Sequence, residues 1–227
     1  MKLDSRLMAI ANLVRKDKTF ADIGTDHAYL PAYLMMSGRV VSAIASDIGI
    51  GPLENARDTV IRYNLQDKID LRLSNGLAAI NQEEVDYICI CGMGGELIAQ
   101  IIDNASWVKN SKIHLILQPM SAVDDLRIYL ADNGFTVNTE KLVKDSGRIY
   151  CVMDVTYSGE VFEYLPEYPF IGNIKCDSEL AEEYISTHLK RITKHINMLS
   201  NATDKSDLPR LVKIRESIIK RLGDYNA

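Results

Sequence analysis

Apolar positions along this chain come in short runs, each closed by glycine, asparagine, aspartate or proline, and between the runs they return with a helical period. The runs at 19–24, 40–48, 69–74, 85–91 and 113–117 read as strands. Helices are predicted over 5–15, where Leu7, Ile10, Ala11 and Val14 share one face and Arg6 lies off it, and over 29–37, 52–63, 96–104 and 122–133. Gly51-Pro52 opens the third of these. Strand and helix alternate, which predicts a mostly parallel sheet with helices on both faces. Two further strands, 135–143 and 148–156, are joined only by Lys144-Asp145-Ser146-Gly147, too short for a helical crossover, so they are expected to pair antiparallel.

After Thr156 the pattern changes. The segment Tyr164-Leu165-Pro166-Glu167-Tyr168-Pro169-Phe170 reads as an ordered linker, since its prolines do not suit a helix interior. From about Ser178 the residues Ile185, Leu189, Ile192, Ile196 and Leu199 follow a 4-3-4-3 spacing, the seam of a coiled coil. A polar break at 201–207 precedes a second helix carrying Leu211, Ile214, Ile218 and Leu222. The organisation expected is therefore a first unit over 1–157 and a linker with a helical coiled-coil hairpin over 158–227.

Charge sharpens that division. The chain carries −5 overall, yet from Tyr184 onward nine Lys and Arg face four acids, a balance of +5 that leaves −10 on the remainder. A polyanion meeting the tail accounts for the asymmetry, and a solvated helix face is the plainer alternative. With 47% apolar and 25% charged residues, no apolar run long enough for a membrane span and no secretory h-region near Met1, the sequence reads as a soluble, cytoplasmic protein. Cys89 and Cys91 lie two apart in a strand while Cys151 and Cys176 are isolated, so the cysteines read as reduced and structural. His188 and His195 are seven apart, too far for a shared ion, and His114 falls in a strand as a packed histidine; no metal site is expected.

The chemistry gathers at strand ends, where an open α/β sheet binds its ligand. The first strand closes in Asp22-Ile23-Gly24-Thr25-Asp26-His27, and the second ends at Asp47-Ile48, the place of a carboxylate that grips ribose hydroxyls. Asp26 and Ala28 stand where a dinucleotide fingerprint needs glycine, which argues against a diphosphate. Carboxylates at Asp22 and Asp26 suit instead the ammonium and sulfonium of S-adenosylmethionine. Asn75-Gly76 after the third strand is placed to offer an amide to adenine, and Gly92-Met93-Gly94-Gly95 after the fourth leaves backbone open where cofactor and substrate would meet. Each has a plainer reading: Asp-x-Gly and Asn-Gly are also ordinary turns.

Asp22-Ile-Gly-Thr-Asp-His-Ala-Tyr-Leu-Pro31, Gly92-Met-Gly-Gly95, Leu117-Gln-Pro119 and the basic hairpin together resemble the bacterial TrmK family, the tRNA (adenine-22)-N1-methyltransferases. The resemblance runs over almost the whole chain. It implies a Rossmann-like class I methyltransferase sheet with a C-terminal helical coiled-coil hairpin, S-adenosylmethionine as cofactor and tRNA as substrate. Under it, Asp22, Gly24, Asp26, His27, Asp47, Ile48, Asn75, Gly76, Gly92, Met93 and Gly94 are expected around the cofactor. His27, Tyr29, Gln118 and Pro119 are expected around the adenine, with Tyr29 stacking on it and His27 either orienting the base or only bonding backbone. Arg6, Lys190, Arg191, Lys194, Lys213 and Arg215 are expected to meet the RNA, the protein acting as a monomer or in an oligomer that the sequence leaves open. Another RNA, a protein or a small molecule as acceptor, and a nonenzymatic cofactor-binding adaptor, are the competing readings.

Overall fold

The structure, a computed structural model, describes residues 1–223; the last four residues of the expected C-terminal unit lie outside them. Seven strands form one sheet in the order β3-β2-β1-β4-β5-β7-β6, with β1 (Lys18–Ile23), β2 (Val40–Asp47), β3 (Ile69–Leu73), β4 (Tyr87–Gly94), β5 (His114–Ser121), β6 (Phe135–Asp145) and β7 (Arg148–Tyr157). The first five run parallel, and β7 is antiparallel to both β5 and β6; pairing continues through Lys144 and Asp145, so only Ser146 and Gly147 join the two strands rather than the four residues expected. Strand order reverses between β1 and β4, so the carboxyl ends of those strands open the crevice that binds ligands in such sheets.

The two faces of the sheet bury separate apolar clusters. On one lie α1 (Ser5–Ala11), α2 (Tyr29–Met36) and α3 (Ile50–Arg62), packed on Phe20, Ala43, Tyr87, Cys89 and Ile116. On the other lie α4 (Gly95–Asp103), α5 (Val123–Asp132) and the short α6 (Tyr168–Ile171), packed on Ile23, Ile88, Ile90, Leu115 and Leu117. The hairpin of α7 (Glu179–Ser200) and α8 (Leu208–Gly223) joins this second cluster through Tyr184, Ile185, Ile192, Leu211, Ile214 and Ile218. Alternate residues of the central strands β1, β4 and β5 thus feed opposite cores.

Several boundaries differ from the sequence reading, each for a local reason. Helix α1 stops at Ala11 rather than residue 15, because the Arg39 guanidinium donates to the Ala11 and Val14 carbonyls at 3.0 and 3.2 Å and so serves its C-terminal end. Helix α3 starts at Ile50, which leaves Pro52 in the first turn, where its missing N–H costs no helical bond. The 164–170 linker contains the one-turn α6 with Pro169 near its start. Strands β4 and β5 continue to Gly94 and Ser121, since Met93 pairs with Pro119 and Gly94 with Ser121 across two register shifts. The glycine segment after Cys91, expected as a loop, is therefore strand-paired through Gly94.

One polar hub ties these layers together. Arg127 of α5 is fully buried; its Nε donates to Glu140 Oε1 at 2.8 Å, Nη1 to the Pro169 carbonyl at 2.9 Å and Nη2 to the Tyr184 hydroxyl at 3.2 Å. A buried guanidinium needs this many partners, and here they come from β6, α6 and α7 at once. Farther along, Arg221 of α8 donates to the Gly172 and Ile174 carbonyls, and Ser217 donates to the buried Glu167 carboxylate.

Candidate active site

The site is built from the carboxyl ends of β1, β2, β4 and β5. At the end of β1 the backbone turns at Gly24, with a φ of 78°, and both the Gly24 and Thr25 N–H groups are taken by the Ser46 carbonyl at 2.8 and 2.9 Å. Those two amides lock β1 to β2 and are not free for a ligand; any free donors of the turn lie beyond Thr25. A Cβ at Gly24 would collide with Met93 Cε, so the close approach that glycine permits here is that of the thioether chain from β4.

Asp22, next to last in β1, lies opposite Ala45 and Cys89 in the neighbouring strands. Burial pushes its carboxyl up to about 6, against hydrogen bonds from Thr25 and Cys89 and the nearby Arg6 charge. Asp47, last in β2, accepts the Gly49 N–H through Oδ1 at 2.8 Å, and no described residue bonds its Oδ2. It is thus a turn residue and a free acceptor at once. Leu73 pairs with Asp47 in the sheet, and both Leu73 and Ile48 are left exposed, at 57% and 70%, an apolar shelf beside a carboxylate. Asn75 is exposed and its carbonyl accepts the Ala78 N–H, while the buried Ser74 hydroxyl ties the turn to Gly76 and Ala79. The sequence does not mark Ser74, since a serine after a strand carries no distinctive pattern.

Across the crevice, Gly92 has a φ of 81° and faces open space. Gly94 lies against the Ser121 hydroxyl, whereas a Cβ at Gly95 would strike the Ala122 carbonyl, so Gly95 serves the packing of α4 on the start of α5. Gln118 and Pro119, at the end of β5, are both buried. His27 and Tyr29 stack on each other, ring centroids 5.0 Å apart and 7° from parallel, and His27 Nε2 lies 3.3 Å from Asp26. Tyr29, expected to stack on a base, already holds one ring face against His27 and keeps 43% exposure.

The expected RNA contacts do not form one group. Lys190, Arg191, Lys194 and Lys213 are exposed on α7 and α8, while Arg215 is half-buried with its Nε lacking a hydrogen bond. Arg6 lies elsewhere, at the start of α1, with its guanidinium turned to Gln118. Arg191 and His188 share a cleft of about 460 Å³ with Pro119, Met120, Arg148 and Tyr150, which joins the end of β5 to the hairpin. His188 is held down to about 4 by burial and by Arg127 and Arg191, so its ring is neutral at pH 7.

Outside the site, His114 bonds Asp154 through Nδ1 at 2.7 Å and stacks on Tyr87, the packed role expected of it. All four cysteines are free, with the Cys89 and Cys91 sulfurs 3.0 Å apart. Among the described residues no cluster of ligating side chains could hold a metal, and no helix is long and apolar enough to cross a membrane.

The chain has known counterparts. Residues 3–153 match a methyltransferase-domain family. The tRNA (adenine(22)-N(1))-methyltransferase of Bacillus subtilis is 34% identical over 166 residues, 70% of each chain. A crystal structure of the B. subtilis m1A22 tRNA methyltransferase TrmK, 28% identical, aligns over 97% of this chain and 99% of that one with a TM-score of 0.88. A structure of Mycoplasma capricolum TrmK in complex with the cofactor product S-adenosylhomocysteine, 27% identical, covers 97% of this chain and all of that one at a TM-score of 0.82. Matched at this level from the first helix into the C-terminal hairpin, the chain belongs to the TrmK family of tRNA (adenine(22)-N(1))-methyltransferases.

Proposed function

We infer that the protein transfers a methyl group from S-adenosylmethionine to N1 of adenine 22 in tRNA. The observation that carries this reading is the cleft that runs from Pro119 and Met120, at the end of β5, to Arg191 on the basic hairpin. A small acceptor needs no such extension; a tRNA, whose body must be held while one base reaches the crevice, does.

The donor set fits the cofactor. Asp22 is enclosed and carries a negative charge above about pH 6, which suits a cationic amino or sulfonium group and repels phosphate. Asp47 Oδ2 is available to ribose hydroxyls, with Ile48 as an apolar shelf for adenine and Asn75-Gly76 at its edge. Gly24, Asp26, Gly92, Met93 and Gly94 would complete the cradle. When bound, S-adenosylmethionine supplies an electrophilic methyl on a positive sulfur.

The chain's own task is placement. Adenine N1 has a free in-plane lone pair at neutral pH, so no side chain must remove a proton before attack; the residues need only present the base in line and exclude water. Because N1 lies on the pairing edge, the adenine must be unstacked first. In this reading the exposed face of Tyr29, stacked on His27, receives it, and the buried Gln118 and Pro119 would form the floor between base and cofactor. Methylation puts the positive charge on the base, which the surrounding acceptors, the Pro119 carbonyl among them, favour electrostatically. Residues 1–157 act as the catalytic unit and 158–227 as the tRNA-contacting unit, with Lys190, Arg191, Lys194, Lys213 and Arg215 neutralising phosphates. Such an enzyme works in the cytoplasm.

The test is methyl transfer from labelled S-adenosylmethionine to tRNA transcripts carrying adenine or guanine at position 22. Label in the adenine transcript alone is expected. Equal label in both, or label only in protein, would assign a different acceptor, and none at all with intact cofactor binding would point to an adaptor.

A further inference from the structure

Helix α1 enters the site from 112 residues away in sequence through a single side chain. Arg6 Nη1 donates to Gln118 Oε1 at 2.8 Å, and its Nη2 lies 4.0 Å from Asp4, the residue that caps α1 by accepting the Leu7 N–H. Gln118 is fully buried, and its Nε2 donates to the Pro119 carbonyl at 2.9 Å. A guanidinium has donors only, so the Gln118 oxygen must face Arg6 and its amide nitrogen must face Pro119; the carboxamide has one orientation. The relay therefore runs from Arg6 through Gln118 to the Pro119 carbonyl, and Pro119 itself pairs with Met93, which lies over Gly24.

We propose that Arg6 is a positioning residue for methyl transfer, holding the floor of the site through Gln118, rather than a ligand for tRNA phosphate. Three observations favour that role. Its head is turned inward, with the side chain only 23% exposed. Its charge acts on Asp22 in the same crevice. The remaining exposed cations expected to meet RNA lie on the hairpin, not on α1. Without Arg6, Gln118 would be left with a buried, unpaired oxygen and freedom to turn over, which releases the Pro119 carbonyl. The proposal rests on the tRNA-methyltransferase reading above.

The experiment compares wild type, Arg6→Ala, Arg6→Lys and Gln118→Ala by steady-state methylation of tRNA, calorimetric titration with S-adenosylmethionine, and tRNA affinity against salt. For Arg6→Ala a fall in kcat of roughly 10- to 100-fold is expected, the scale of a small misplacement of reacting groups, with cofactor and tRNA affinities within about threefold of wild type and an unchanged salt slope. Arg6→Lys should recover part of kcat, and the Arg6→Ala/Gln118→Ala double variant should be no slower than the worse single one, because both cut the same relay. Loss of about one unit of salt slope in Arg6→Ala with kcat retained would overturn the proposal and make Arg6 a phosphate ligand. Additive losses in the double variant would overturn it too. Should Arg6→Ala not fold, Arg6→Lys with wild-type kcat would count against it. An inactive wild type speaks against the methyltransferase reading instead.

Discussion

The two flanks of the crevice are held by different means. On the β1–β2 flank local turns do the holding: the Gly24 and Thr25 amides donate to the Ser46 carbonyl, and the Asp47 carboxylate accepts the amide of Gly49 two residues on. On the β5 and hairpin flank long side chains do it, with Arg127 joining α5 to β6, α6 and α7, and Arg6 reaching Gln118. Backbone turns fix geometry within a few residues, and each depends little on the rest of the molecule. Side-chain bridges fix geometry between distant elements, so one substitution can loosen several of them together.

The contrast is most exposed to Arg127→Met. Removing a buried guanidinium strands the Glu140 carboxylate, and such losses cost about 3–5 kcal/mol. Denaturant unfolding should show that loss, while S-adenosylmethionine affinity measured well below the transition stays near wild type. A large drop in cofactor affinity would mean that the flanks are not independent.

Asp47→Ala probes the other side. Each charge-assisted hydrogen bond to ribose contributes about 1.5–3 kcal/mol, so cofactor affinity should fall at least roughly tenfold in calorimetry, with the salt dependence of tRNA binding unaltered. Unchanged affinity would leave Asp47 as nothing more than the turn residue that holds Gly49.

Charge reversal at Lys190, Arg191 and Lys194 should do the converse. Filter binding across a salt series should give weaker tRNA binding and a flatter slope, by up to about one unit for each phosphate that is no longer neutralised, with cofactor affinity retained. If the full slope survives, the hairpin is structural and the RNA surface lies elsewhere.

The smallest effect concerns pH. The Asp22 carboxyl, raised by burial to about 6, is protonated below that pH and charged above it. A cationic ligand favours the charged form, so affinity for S-adenosylmethionine should rise roughly tenfold from pH 5 to pH 7 and then level off, with proton release on binding near pH 6. Asp22→Asn should bind more weakly at pH 7 and lose the dependence. A flat profile in the wild type would separate Asp22 from the cofactor's charge.

The same difference decides what is readable in the sequence. Asp22, Gly24 and Asp47 stand out because a turn at a strand end restricts residue type locally, and the antiparallel closure by β6 and β7 follows from a connection too short for a helix. The continuation of β4 through Gly94 does not, because those glycines are held by pairing with Pro119 and Ser121, which no local pattern encodes. In the sequence Arg127 is one more charge on a helix; its burial depends on Glu140, Pro169 and Tyr184, brought together only by the tertiary fold. Charge alone groups Arg6 with the hairpin cations, and only the structure turns it toward Gln118.

Fastening α7 to the sheet through Arg127 also decides which molecule bends. A hairpin bolted to the catalytic layer approaches its partner as a fixed fence, with its distance from the crevice set before any encounter. In the proposed reading, the deformation needed to bring an adenine from its stack to the crevice then falls on the RNA. Loosely stacked nucleotides are the cheapest to extrude, so discrimination among tRNAs would come partly from how readily each yields its base.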